Sequence, residues 1–302
     1  MFSKALAITT LHLAAAPPAM AWLASFGYGP GEVGSKNWDT AMKNPNTTGS
    51  VPIVGYNVSK PWPARDSRKD DWSLDAKLVA DMPSADNKDE FYTGIGLALS
   101  PPDYLVQKLD NGTKVIDADG SWHGCLTAVA DLPDDVLKNG YDDDGSCHSL
   151  LGEECAKQYR AALMADMSGG KCSASVTIPD ACQDTLGNFS AIAVGFPLNG
   201  TDLWNSDFIR FGSDSPHQKG DTGDYESLVK KTYPVFIAFT GNDTEATSYQ
   251  SGNSDQNYGN LACIRASKIM PGSKKVNGGS DVSKLSLATS VVIAAAMGIV
   301  LL

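Results

Sequence analysis

The sequence predicts an α+β, β-rich fold, with two packed antiparallel sheets and one disulfide-stapled helix. Short apolar or alternating runs separated by turn residues recur between residues 91 and 269, which is the pattern of antiparallel strands. One stretch, 153–167, instead continues an apolar repeat of every fourth position, the spacing of a buried helix face. Four of the six cysteines lie within 147–182, around that stretch, so disulfides should staple the helix to its surroundings.

Residues 1–21 have the features of a secretory signal peptide. Lys4 precedes an apolar run, 5–16, and the A-x-A sequence at 19–21 is a cleavage site of the usual kind. Cleavage there would leave Trp22 as the first residue of the mature chain. The copper mono-oxygenases of fungal secretomes need a histidine in that position, so Trp22 excludes this enzyme class.

Residues 22–90 are expected to form a Gly/Pro/Trp-rich arm packed on the domain. Within it the sequence predicts a strand at 51–58 and a short helical turn at 75–81, ended by Pro83. Three tryptophans should pack the arm against the domain, or alternatively form a platform on which sugars stack: Trp38, Trp62 and Trp72.

Residues 91–270 are expected to form a β-rich domain with a helical insert near 150–168. Asn-Gly at 111–112, between two apolar runs, predicts a hairpin, because both central turn residues must tolerate positive φ. Alternation on the strand predicted at 121–130 places His123, Cys125, Thr127 and Val129 on one face. The remaining strands are predicted at 91–99, 191–197, 208–211, 233–240 and 260–269.

An even number of cysteines behind a signal peptide predicts three disulfides formed in the secretory pathway. No C-x-x-C pair is present, so the cysteines lack the usual spacing of zinc ligands. Cys125 and Cys263 both lie on predicted strands, and we expect them to pair. The other four could then pair as Cys147–Cys155 with Cys172–Cys182, which we prefer slightly, or with Cys182 joined to Cys155 or Cys147.

The last 18 residues, 285–302, carry no charge and are long enough to approach the thickness of a bilayer core. Upstream lie a run of small residues and a short polar spacer, 271–284, which together match the signal for a glycosylphosphatidylinositol (GPI) anchor. We expect attachment at Asn277, with Gly278 as the alternative residue, and removal of the tail. The alternative is a single transmembrane span. The sequence has no Ser/Thr-rich stalk, so the domain should sit close to the lipid.

The chain is acidic, with a formal net charge of −11. Such a surface repels nucleic acid and anionic lipid headgroups, so no nucleic-acid partner is expected. Six N-x-S/T sequons are candidate glycosylation sites, and each should lie on the surface if it is modified. Their asparagines are Asn46, Asn57, Asn111, Asn188, Asn199 and Asn242.

The sequence contains none of the common catalytic motifs. We find no G-x-S-x-G, P-loop, G-x-G-x-x-G or H-E-x-x-H, and therefore expect no cofactor. Outside the signal peptide there are only three histidines, His123, His148 and His217, so a Ser-His-Asp triad has no motif to support it.

The acidic run 142–144 does not fit an EF-hand. With Gly145 at the invariant glycine, the first and last ligand positions would be Gly140 and Leu151. We therefore expect no metal. Asp142 and Asp144 are the candidates for an irregular calcium loop, and the alternative is a solvated turn whose charges favour the following helix.

The cysteine pattern resembles that of an uncharacterised family of secreted or GPI-anchored surface proteins of filamentous fungi. The resemblance rests on D-D-D-G-S-C at 142–147, G-E-E-C at 152–155 and A-C-Q-D-T-L-G at 181–187, with D-G-S-W-H-G-C at 119–125 before them and Cys172 between. It covers about a quarter of the chain, implies a fungal surface protein and carries over no catalytic residue. The basic pair 274–275 likewise resembles the one that keeps fungal lipid-anchored proteins at the plasma membrane.

The sequence thus predicts a GPI-anchored extracellular cell-surface glycoprotein, either structural or glycan-interacting. We expect it on the outer face of the plasma membrane or in the cell wall, with the membrane lipid and wall glycans as its partners. The alternative is a carbohydrate-active enzyme of the wall that uses an Asp/Glu pair. With 35 acidic residues some pair will have a suitable spacing by chance, so the sequence names no catalytic residue.

Overall fold

The computed structural model describes residues 24–26, 29–62, 68–167, 172, 176–187, 189–200, 207–241 and 258–273. Its strands are β1 (Ala24–Phe26), β2 (Thr47–Tyr56), β3 (Arg68–Pro83), β4 (Phe91–Ser100), β5 (Val106–Lys108), β6 (Lys114–Ile116), β7 (Trp122–Asp131), β8 (Ser190–Pro197), β9 (Ile209–Gly212), β10 (Tyr233–Gly241), β11 (Gly259–Ile264) and β12 (Lys268–Ile269). Its α-helices are α1 (Gly29–Ala41), α2 (Asp134–Asn139), α3 (His148–Leu151), α4 (Glu153–Asp166), α5 (Gln183–Leu186) and α6 (Gly223–Leu228). The predicted fold class, α+β and rich in strand, is confirmed.

Two sheets form the centre of the molecule. One has six strands in the order β1-β9-β4-β3-β2-β12, and the other has four in the order β11-β10-β7-β8. All pairs are antiparallel except β1 with β9, which run parallel. The inner faces share one apolar core, in which Leu74 and Ile95 of the six-stranded sheet meet Val235 and Ile237 of the other.

The residues expected to form an arm, 22–90, supply interior strands of the six-stranded sheet. β2 confirms the strand predicted at 51–58, and β3 pairs directly with β4 across residue 90, so the sheet continues through the expected boundary. The helical turn predicted at 75–81 is wrong, because that stretch belongs to β3. Its apolar residues alternate, and every second side chain from 74 to 78 enters the core, which is the period of a strand.

Helices cover the outer faces of both sheets. α1 packs on the six-stranded sheet through Val33, Trp38 and Met42. α3, α4 and α5 pack on the four-stranded sheet, and α4 confirms the predicted helix. The predicted stripe is buried as expected, since Cys155, Tyr159 and Leu163 are each at most 2 % exposed.

All six cysteines are paired, as Cys125–Cys172, Cys147–Cys263 and Cys155–Cys182. The expected Cys125–Cys263 bridge is wrong. β10 lies between the strands that carry these two residues, and they pair with β10 four residues apart along it, at Ala238 and Pro234. Two strand spacings alone are about 9.6 Å, beyond the roughly 7 Å over which a disulfide can form.

The preferred pattern for the other four cysteines is also wrong, although one of the alternatives, Cys182 with Cys155, is present. Cys147 has a left-handed backbone (φ 65°) at the start of α3. The carbonyl oxygen of Gly145, two residues earlier, accepts a hydrogen bond from the Cys263 amide (3.0 Å). This local pairing brings Cys147 to β11 rather than to α4.

Candidate functional site

Two glycines on β4 create space on the outer face of the six-stranded sheet. A Cβ at Gly94 would lie 2.6 Å from the Trp38 ring, and a Cβ at Gly96 would lie 2.2 Å from Cγ of Asp207. Real Cβ atoms do not approach other atoms this closely, so both positions need glycine. The space is filled by an indole from α1 and a carboxyl group from the segment before β9.

These side chains belong to a charged group that we call the α1 cluster: Trp38, Asp39, Asp207 and Arg210. The indole Nε1 of Trp38 donates a hydrogen bond to Oδ2 of Asp207 (2.9 Å). Nη2 of Arg210 forms an ion pair with Oδ1 of Asp39 (2.8 Å), and the guanidinium lies 5.2 Å from the centre of the Trp38 ring. The α1 cluster therefore links α1 to β9 through both charge and ring contact.

Burial dominates the electrostatics of the α1 cluster. It raises the pKa of Asp207, an effect that the Trp38 hydrogen bond and the positive charges of Lys77 and Arg210 partly oppose. Burial also lowers the pKa of Arg210, and the nearby carboxylates of Asp39 and Asp207 oppose that change. Nε of Arg210 is buried without a hydrogen-bond partner, so the guanidinium is held only at its outer end and by the ring.

The α1 cluster contains an acid with a shifted pKa, but solvent hardly reaches that acid. Asp207 is 5 % exposed, and Trp38, which donates to it, is 0 % exposed. An acid that protonates a substrate must come within hydrogen-bond reach of it, and this carboxyl group is enclosed. The α1 cluster therefore suits a structural role, in which it holds α1 on the sheet, better than a catalytic one.

The same sheet has a second feature on its outer side, which we call the polar outer face: Ser50, Ser73, Asp75, Lys77 and Ser100. Ser50 lies opposite Asp75, and Ser73 lies opposite Ser100, on neighbouring strands. Both Ser73 and Ser100 donate hydrogen bonds to the Asp75 carboxylate. Ser50 is exposed and the other four are half-buried, so hydroxyl groups surround a carboxylate that solvent can reach.

The tryptophans expected to pack the arm divide into two kinds. Trp38 and Trp72 are at most 1 % exposed, which rules them out as a platform for sugars. Trp62 is half-buried, with its ring 4.7 Å from that of Trp122 and 4.4 Å from that of Tyr258. Trp38 and Trp72 therefore have the packing role.

The acidic run 142–144 organises the backbone before α3. The Asp143 carboxylate accepts hydrogen bonds from four amides, those of residues 145, 147, 149 and 150, at 2.9 to 3.3 Å. Asp144 accepts from the amide of Ser146 (3.0 Å), and Asp142 is exposed. Within the described residues no group of three or more possible metal ligands is present, so neither Asp142 nor Asp144 belongs to such a group.

His217 lies between an acid and a hydroxyl, as the histidine of a catalytic triad does. Its Nε2 is 3.1 Å from Oγ1 of Thr93, but its Nδ1 is closer to the carbonyl oxygen of Gln218 (3.0 Å) than to the Asp81 carboxylate (3.9 Å). Thr93 is 0 % exposed and donates to the carbonyl of Ala80 (2.8 Å), so its hydroxyl is enclosed and committed. His148 is exposed near the acidic run, and burial lowers the pKa of His123 on β7.

The asparagines of four of the six sequons fall within the described residues. Asn111 and Asn199 are exposed, and Asn57 is half-buried in a turn where its Oδ1 accepts from the hydroxyl of Ser59, the third residue of its own sequon (2.6 Å). Asn46 is half-buried, and its Oδ1 accepts from the amide of Ala80 (2.8 Å). The other two sequon asparagines, Asn188 and Asn242, lie outside the described residues.

The predicted membrane segments also lie outside the described residues: the signal peptide 1–21, the attachment residues Asn277 and Gly278, and the tail 285–302. Among the residues that are described, no helix has the length and apolar character needed to cross a bilayer. Comparison with family models, with curated proteins and with solved structures finds no match for this chain.

The α1 cluster was not found from the sequence. Its members lie far apart in the sequence, with 169 positions between Trp38 and Asp207 and 171 between Asp39 and Arg210. One signal was available, since an arginine stands in the apolar strand 208–211, and a buried arginine requires a partner. The identity of that partner could not be read from local spacing.

Proposed function

We propose that this chain is a GPI-anchored extracellular cell-surface glycoprotein with a structural or glycan-interacting role, at the plasma membrane or in the cell wall of a fungus. The observation that carries the proposal is the set of three disulfides. All six cysteines are paired, and four of them are at most 2 % exposed: Cys125, Cys147, Cys155 and Cys182. Cross-links of this kind form and persist in the secretory pathway and outside the cell.

The lipid anchor is tested by enzymatic release. Phospholipase C specific for phosphatidylinositol should move most of the protein from washed membranes into solution. In a lipid-anchored protein the lipid alone holds the chain in the membrane, and the enzyme cleaves that lipid. A variant lacking 285–302 should be secreted without treatment. Recovery of a peptide from 291–302 in the mature protein by mass spectrometry would show a transmembrane span instead.

The polar outer face is the surface that best suits a glycan. Its carboxylate and hydroxyl groups are spaced along neighbouring strands. Saccharide hydroxyls can donate to the carboxylate and to the oxygens of Ser73 and Ser100, and can accept from the exposed Ser50. Hydrogen bonds to charged groups contribute about 1.5–3 kcal/mol, so Asp75 should contribute most. A role in binding wall polysaccharide follows from this chemistry.

Glycan binding is tested with the secreted fragment 22–277 on an array of wall oligosaccharides. Asp75→Ala should weaken binding roughly tenfold or more, the equivalent of one charged hydrogen bond. Asp110→Ala, in the hairpin between β5 and β6, is the matched control and should bind as the wild type does. Unchanged binding by a folded Asp75→Ala variant, checked by thermal melting, would exclude the polar outer face.

The alternative, a carbohydrate-active enzyme, would require two carboxylates that flank a bound sugar. Asp39 and Asp207 are two acids near one arginine, but Asp207 is covered by α1. Hydrolysis of a wall glycan that is lost in both Asp39→Asn and Asp207→Asn would favour this alternative over the proposed role.

A further inference from the structure

The length of β2 gives the distance between two of the sequons along the strand direction. It has ten residues, which at about 3.4 Å each span about 34 Å. Asn46 precedes its first residue, and Asn57 follows its last. These two sequons therefore lie at opposite ends of β2.

The end of the described chain lies beside Asn46. Nδ2 of Asn46 donates to Oγ of Ser273 (3.5 Å), and the Asn46 carbonyl accepts from the Met270 amide (2.9 Å). Ser273 is four residues before Asn277, the residue proposed to carry the lipid. Four extended residues reach at most about 14 Å, so the lipid must attach near this end.

The other described sequons lie at the far end, with Asn57. The turn after Asn57 is joined to the segment before β7, because the Val58 carbonyl accepts from the Asp119 amide (2.7 Å). Asn199 follows β8, where the Gly200 amide donates to the Ile116 carbonyl on the hairpin that carries Asn111 (3.0 Å). Three sequons thus share one end of the molecule.

Asn46 also differs from these three in its bonding. Its carboxamide is half-buried, with Oδ1 bound to Ala80 and Nδ2 directed at Ser273. N-glycosylation replaces a hydrogen on Nδ2 with a sugar, which would compete with the contact to Ser273. We expect this sequon, the one nearest the lipid, to be left unmodified.

We infer that the domain stands end-on at the membrane, with the Ser273 end toward the bilayer and its glycans at the far end. The inference rests on the proposed lipid anchor. The glycan-bearing end, about 34 Å farther out, is the one that meets the wall or another cell.

Energy transfer from a labelled glycan to an acceptor dye in the outer leaflet tests the orientation on the full anchored protein. One variant keeps Asn199 as its only far-end sequon, through Asn→Gln changes at 57, 111, 188 and 242. A second variant removes Asn199 as well and adds Pro271→Asn, which creates a sequon at 271–273 at the bilayer end. Asn46 is retained in both, and peptide mapping should find it unmodified in both.

We expect the transfer efficiency from the sugar at 271 to be several-fold higher than that from Asn199. Equal efficiencies, or a glycan on Asn46, would overturn the inference. Phospholipase treatment should abolish transfer in both variants, and if it does not, the anchor itself is wrong while the orientation can still be measured. Neutron reflectivity of the wild-type protein on a supported bilayer gives a second reading without any substitution, with the sugar-rich layer expected farthest from the lipid.

Discussion

Replacing Cys147 and Cys263 together by alanine is expected to lower the free energy of unfolding by about 4 to 5 kcal/mol. The two residues are 116 positions apart, the longest separation among the three bridges. In the chain-entropy description, a cross-link stabilises by restricting the unfolded chain, and the effect grows with the logarithm of the loop length. The other two bridges shorten this loop only modestly, so they change the expected loss little.

The Cys155–Cys182 bridge is the matched control, because its residues are 27 positions apart and equally buried. Its replacement by two alanines should cost about 3.5 kcal/mol. Urea unfolding of the secreted proteins measures both. A larger loss for the shorter loop would show that the bridges act through the packing of the helices on the sheet rather than through the unfolded chain.

Replacing Arg210 by methionine is expected to lower the free energy of unfolding by about 1 to 3 kcal/mol at neutral pH. The side chain of Arg210 is 4 % exposed, and its loss removes the ion pair that holds α1 and one of the two positive charges that act on Asp207, the other being that of Lys77. The loss is smaller than for a fully buried pair because Asp39 is 44 % exposed. An uncompensated buried charge is costly because neither water nor a counter-ion stabilises it. Chemical unfolding of the variant at constant ionic strength measures the loss.

Two further variants separate charge from packing. Adding Asp207→Asn to Arg210→Met should recover part of the stability, since the amide still accepts from Trp38 and carries no charge. Arg265→Met is the control, because that guanidinium lies over the exposed ring of Tyr141 at 5.6 Å and should contribute about 1 kcal/mol or less. No recovery in the double variant would mean that Arg210 acts by filling space.

The loss caused by Arg210→Met should also shrink as the pH falls. Burial raises the pKa of Asp207, so the folded protein binds this proton more tightly than the unfolded chain does. A group of this kind stabilises the fold below its unfolded pKa and loses that contribution as the pH rises through its folded pKa. Without Arg210 the pKa of Asp207 should rise further, and protonation then relieves the buried charge.

Local patterns predicted most strands of residues 91–270 correctly but missed α1 and β3 in the residues before them. The strands β4, β7, β8 and β10 were predicted within one or two residues of their ends, because alternation and turn residues act over a few positions. The hairpin turn at Asn111 was also predicted from a few neighbouring residues. The stretch 75–81 failed because its charged and apolar residues also suit a helical turn, and only its pairing with β2 and β4 decided the matter.

The sequence by itself determined the fold class, because the periodicity of its residues predicts strands with one stapled helix. Its even number of cysteines, its sequons and the character of its two terminal segments predict a cell-surface protein, which stays a prediction. The tertiary structure decided which cysteines pair, because that depends on strand order and β10 separates Cys125 from Cys263. It also decided that Trp38 and Asp39 of α1 bind Asp207 and Arg210, and that Asn46 lies beside Ser273. Such contacts join residues up to 227 positions apart, and no local spacing encodes them.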